Sequence, residues 1–181
     1  MKRKAFALVI AALLIVAAGI GGTFAYFTAT QSITNTFTVG NVRIRLYEGD
    51  NNNAPTTLSF ISVPGKSYEK NPTVEVLEKS EDCYLFFEAS LPAKGTTLQY
   101  ELNLTGWEHY KVPGAEARRV YVRRVLKTDK ERTFALLQGN SVTIPATATS
   151  LIEEKLVFRA YAVQSGSVND VNEAWRILTA K

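Results

Sequence analysis

Residues 26–39 read YFTATQSITNTFTV, and their alternation decides the fold class. Every even position from Thr28 to Thr38 is Thr or Ser, whereas Phe27, Ala29, Ile33, Phe37 and Val39 fall on odd positions, interrupted by Gln31 and Asn35. A period of two carried by β-branched and aromatic residues specifies an extended strand with one apolar and one hydroxylated face. Two uses of such a strand are open. It can be an edge strand of the chain's own sheet. It can also add to the exposed sheet edge of another copy, where main-chain hydrogen bonds give affinity and alternate side chains fill pockets. Repeated head to tail, that second contact does not close and builds a filament.

The residues before this stretch read as an address. Lys2, Arg3 and Lys4 form a positive start, residues 5–22 are apolar or glycine throughout, and Thr23 and Ala25 put small residues just before a cut at Tyr26. This is the tripartite pattern of a cleavable signal peptide over residues 1–25, and it predicts export. A retained membrane anchor is the alternative, because roughly 20 apolar residues can span a bilayer. The abundance of Ala and Gly and the lack of a following charge favour cleavage. No cysteine lies near the cut, and the final WRILTAK carries no wall-sorting pattern, so the expectation is a secreted product without a covalent anchor. The division is a signal peptide at 1–25, a strand segment at 26–40 and one domain at 41–181.

Composition narrows the function classes. A chain of 181 residues with 46% hydrophobic content supports one buried core. Lys2, Arg3 and Lys4 supply three of its 21 basic residues, leaving 18 against 17 acidic ones. Such balance gives no electrostatic footprint for nucleic acid. Cys83 is the lone cysteine and lies in the apolar run CYLFFEASL, so it reads as a packed side chain rather than a reactive thiol. Export without disulfides fits a Gram-positive surface better than a eukaryotic secretory product.

Further strands follow. Val42, Ile44 and Leu46 alternate with Arg43, Arg45 and Tyr47 up to the turn-rich EGDNNNAP, and strands are predicted at 73–78, 83–91, 98–104, 119–126, 141–144 and 155–164. This spacing predicts an all-β fold, an antiparallel β-sandwich or jelly roll. Val168, Val171, Trp175 and Leu178 recur at helical spacing, with Ser167 as the cap and Asp170 three residues on. A short C-terminal helix lidding one end of the sandwich is the expectation.

Chemistry-bearing motifs are sparse. His109 is the only histidine, so no histidine pair can hold zinc, and no Gly-rich phosphate loop is present. The sequence therefore predicts no catalytic, cofactor or metal residues. The run Asp50 to Asn53 lacks the glycine and distal glutamate of a calcium loop and reads as a solvated turn. Arg118, Arg119, Arg123 and Arg124 form one basic cluster on a strand's solvent face, with Arg119, Arg123 and Arg124 the candidates for holding an anionic wall polymer.

The joined pattern GGTFAYFTATQSITNTFTVGNVRIRLYE resembles the start of the TasA and camelysin family of Gram-positive exported proteins. The blocks VPGKSYEKNPTVEVLEKSEDCYLFFE and LVFRAYAVQ, with the later AW, resemble that family's following motifs in order. The resemblance implies a jelly roll and a cut after Ala25 by a dedicated signal peptidase, a transient partner. It also implies a surface or biofilm-matrix role in which an N-terminal strand is donated between subunits, with Phe27, Ile33, Phe37 and Val39 filling pockets. Pro64, Gly65, Lys70 and Pro72 carry over as structural motif positions. The leading expectation is a self-associating structural protein; a monomeric wall-polymer or host-surface binding module and a metalloendopeptidase are the alternatives. Contact with a membrane is expected only through an uncleaved signal.

Overall fold

The computed structural model describes residues 33–49, 63–90, 98–148 and 156–180. The signal peptide, its cut at Thr23, Ala25 and Tyr26, the position Phe27 and the Asp50 to Asn53 turn lie outside the described residues. The strands are β1 (Ile33–Val39), β2 (Ile44–Glu48), β3 (Ser67–Glu69), β4 (Pro72–Val76), β5 (Cys83–Ser90), β6 (Glu108–Tyr110), β7 (Val120–Val125), β8 (Thr133–Ala135), β9 (Ser141–Thr143) and β10 (Val157–Gln164). A nine-residue helix, α1 (Val171–Thr179), follows. The all-β expectation with a short C-terminal helix is borne out.

Among the described residues three sheets form, with orders β1-β10-β5-β7-β6, β2-β4-β8 and β3-β9. The β1-β10 pair is parallel, and the other ladders among the described residues are antiparallel. Alternation along β5 assigns its two faces. Cys83, Leu85, Phe87 and Ala89 join Val42, Ile44, Val74, Val76 and Phe134 of the smaller sheet's layer in one core, the filling of a sandwich. Phe86 lies in a second cluster with Tyr110, Val120, Val122, Tyr161, Val163 and the α1 residues Ala174, Trp175 and Leu178.

That second cluster corrects the expected place of the helix. It covers the outer face of the large sheet as a third layer and does not lid an end, because Phe86, Tyr161 and Val163 give that face its own apolar stripe. Trp175 meets Phe86, Tyr110 and Tyr161 at ring-centroid distances of 5.2, 5.5 and 5.5 Å. The cap also differs from expectation. Asp170, not Ser167, accepts from the Asn172 and Glu173 amides, both at 2.8 Å, supplying acceptors to first-turn amides that have no intrahelical partner.

One predicted strand fails. Residues 98–104 make only isolated bridges, Gln99 to Thr143 and Leu102 to Leu137.

Candidate assembly site at the edge of the large sheet

Among the described residues, strand β1 lies at the edge of its sheet and is hydrogen-bonded there to β10 alone. The parallel register sets Thr36 opposite Ala160, Phe37 opposite Tyr161, Thr38 opposite Ala162 and Val39 opposite Val163, with an irregularity between Ile33 and Thr36. Ala160 and Ala162 belong to the sandwich core, whereas Tyr161 and Val163 belong to the cluster under α1. From Thr36 on, Phe37 and Val39 are thus in register with the helix side of the sheet and Thr36 and Thr38 with the sandwich side, whereas Ile33, before the irregularity, is opposite Phe158 of the sandwich core. Thr38 is exposed, and Val39 keeps 36% of its surface in solvent.

Gly40 ends the strand with φ of +85°, a conformation that a residue carrying a Cβ adopts at a cost. A Cβ there would also stand 2.8 Å from the Gln164 side chain. The Gln164 Oε1 accepts the Asn41 amide at 3.0 Å, and the Asn41 carbonyl accepts the Glu81 amide at 3.1 Å. The exit of β1 is therefore pinned to the end of β10. Sequence reading missed this clasp, although a glycine directly after the alternating stretch was its signal.

The structure does not bring the arginines onto one face, a correction to the single solvent face expected of them. Successive residues of β7 point to opposite sides, so Arg123 lies on the sandwich side and Arg124 on the helix side. The Arg123 guanidinium carbon stands 3.7 Å from the Phe134 ring centroid and 5.3 Å from that of Trp107. Both are cation–π contacts, the one to Phe134 the closer. Burial lowers the Arg123 pKa against the pull of Glu131 and Asp129. Arg119 donates to the Tyr100 hydroxyl at 3.2 Å, and Arg124 is exposed.

Arg118 is committed elsewhere. Its Nε and an Nη each donate to Glu88 at 2.8 Å, a bidentate pair, and the Tyr161 hydroxyl donates to Glu88 Oε2 at 3.2 Å. Burial alone would raise the Glu88 carboxyl. The Arg118 hydrogen bonds and charge, aided by Tyr161 and Arg159, outweigh that and hold it below the usual carboxylate range. Because the folded pKa is depressed, the stabilisation is present above the unfolded value and is lost as pH falls through the folded one. The wild-type unfolding midpoint is expected to drop in that acid window, and Glu88→Gln to flatten this limb; equal acid slopes in urea titrations of both chains would contradict the assignment.

Cys83 is fully buried, and burial, with Asp82 adding and Arg132 opposing, pushes its thiol up to about 12. Thiolate is the reactive form. Native protein at neutral pH is expected to leave Cys83 unlabelled by a charged maleimide, and denatured protein to take up one label per chain; rapid native labelling would contradict its place in the core.

His109 is exposed on β6, its ring 5.4 Å from that of Tyr121. Among the described residues no group of three or more His, Cys, Asp or Glu side chains could hold a metal ion. No helix among them is long and apolar enough to cross a membrane.

Residues 1–53 match the family model described as camelysin metallo-endopeptidase, and the resemblance to the TasA and camelysin family is borne out over that stretch. No curated protein and no solved structure matches the chain. The matched stretch includes β1, the Gly40 turn and β2.

Proposed function

We propose that this chain is a secreted structural subunit of a Gram-positive cell surface or biofilm matrix. In this reading, copies join by donating residues 26–39 to the large sheet of a neighbour. The observation that carries the reading is the position of β1, which among the described residues is bonded on one side only, to β10, at a sheet edge. Exchange between copies replaces the ladder to β10 with an identical one, so the hydrogen bonds lost in one chain are regained in the next. Signal-peptide cleavage before Tyr26 frees the strand to move, and the signal peptidase is then a transient partner.

The endopeptidase activity in the family's description needs a bound metal. The described residues bring together no donor set for one, so no step of the proposed function runs through a metal. Purified protein is expected to show no chelator-sensitive proteolysis. The reading is tested by electron microscopy of the secreted protein together with N-terminal sequencing. Filaments of chains that begin at Tyr26 are expected, and correctly cut protein that stays monomeric at every concentration would refute it.

A further inference from the structure

By size, Lys70 ranks with Phe86 and Phe87 among the largest fully buried side chains of the described residues. Its Nζ lies 3.1 Å from Glu48 Oε1 and 3.3 Å from Oε2, and both side chains are only 2% exposed. Local structure fixes this approach. Glu48 closes β2 and is in register with Pro72, the first residue of β4, so the segment entering β4 lies against the end of β2. The Lys70 amide donates to the Asn140 carbonyl at 2.7 Å, anchoring that segment's backbone.

As an ion pair this arrangement is poor. An ammonium carries three donors, and among the described residues the Lys70 Nζ meets only the Glu48 carboxyl, whose Oε1 accepts no hydrogen bond. Desolvating two charges is costly unless further hydrogen bonds complete both partners. Burial raises the Glu48 carboxyl against the attraction of Lys70, and burial lowers Lys70 against the attraction of Glu48. Burial thus works against the charged form of each group, and the geometry holds the two in contact and away from water.

We propose that Lys70 and Glu48 condense into an intramolecular isopeptide bond that staples β2 to the segment entering β4. The Nζ lone pair attacks Glu48 Cδ, forming the C–N bond. A proton passes from Nζ to the departing hydroxyl, the C–O bond breaks and one water leaves. No oxidant, reductant or co-reactant is needed. The amide places one neutral N–H and one carbonyl where two charges stood, and it ties residue 48 to residue 70 covalently. This cross-link is independent of strand donation, since it lies in the smaller sheet and leaves β1 and β10 untouched.

Intact mass spectrometry of the secreted chain, denatured and with its N-terminus sequenced, tests the proposal. The wild-type chain is expected to be one water lighter than its sequence. Trypsin should leave the 70–71 bond uncut, and tandem spectra should show the Glu48 and Lys70 peptides joined. Lys70→Arg is expected at full sequence mass. A wild-type chain at full mass overturns the proposal, as does a water loss that maps to other residues. The wild-type result decides the matter even where the variant fails to fold.

Discussion

Chains lacking residues 26–39 are expected to remain monomeric at concentrations where the full secreted chain forms filaments. None of the described core residues precedes Val42, so the deletion takes no buried side chain from either described cluster. It removes the ladder between β1 and β10 and leaves β10 as the new sheet edge. At about 1 kcal/mol net per hydrogen bond, the domain should lose a few kcal/mol and stay folded. Assembly, which depends on that ladder forming between copies, should fall below detection in sedimentation and microscopy. Adding a peptide of residues 26–39 to the truncated domain should raise its unfolding midpoint without restoring filaments, because a free peptide fills the edge but links nothing. Filaments made by the truncated chain would remove the basis of strand donation.

Phe87→Ala is expected to be the most destabilising single substitution among the core aromatics, at about 3–5 kcal/mol. Its ring has no exposure and sits 4.7 Å from Trp107 edge-on, 5.0 Å from Tyr121 in a stack and 6.5 Å from Phe158. Truncation leaves a void at the centre of the sandwich and strips Trp107 and Tyr121 of a partner worth about 0.5–1.5 kcal/mol per pair beyond its area. Native domains have about 5–15 kcal/mol in total, so this variant approaches global unfolding. Urea midpoints measure the loss, and a loss near 1 kcal/mol would mean that β5 does not present Phe87 to the main core.

Much of the architecture was legible. The alternation in residues 26–39, of which Ile33–Val39 is described, the alternation from Val42 to Tyr47 and the apolar run beginning at Cys83 each named a strand that the structure contains in its described part. The parallel direction of β1 was not legible, because alternation is satisfied equally by either direction and the partner β10 lies far along the chain. Nor could the run CYLFFEAS say what covers each face; Phe87 goes to the sandwich and Phe86 to the helix, a three-layer outcome that a continuous apolar run only permits. Strands β3, β6 and β8 have three residues each, too few for a period to register. Arg123 misled because its guanidinium stands over the Phe134 and Trp107 rings. A charge stacked on rings looks, in sequence, like a charge in water. Asp170 beat Ser167 as the helix cap because the turn Ser165–Ser167 intervenes before the helix begins.

Of the candidate assembly site, the strand was read and its clasp was not, since the Gln164 side chain reaches Asn41 only once β1 and β10 lie together. The same register supplies the most direct test of strand donation, through the opposed positions Val39 and Val163. Two secreted chains, one carrying Val39→Cys and the other Val163→Cys, are mixed, assembled and mildly oxidised. Strand donation predicts disulfide-linked pairs containing one chain of each kind in the filament fraction. Filaments that yield no such mixed pairs, while a single chain carrying both substitutions closes its own disulfide, would contradict it.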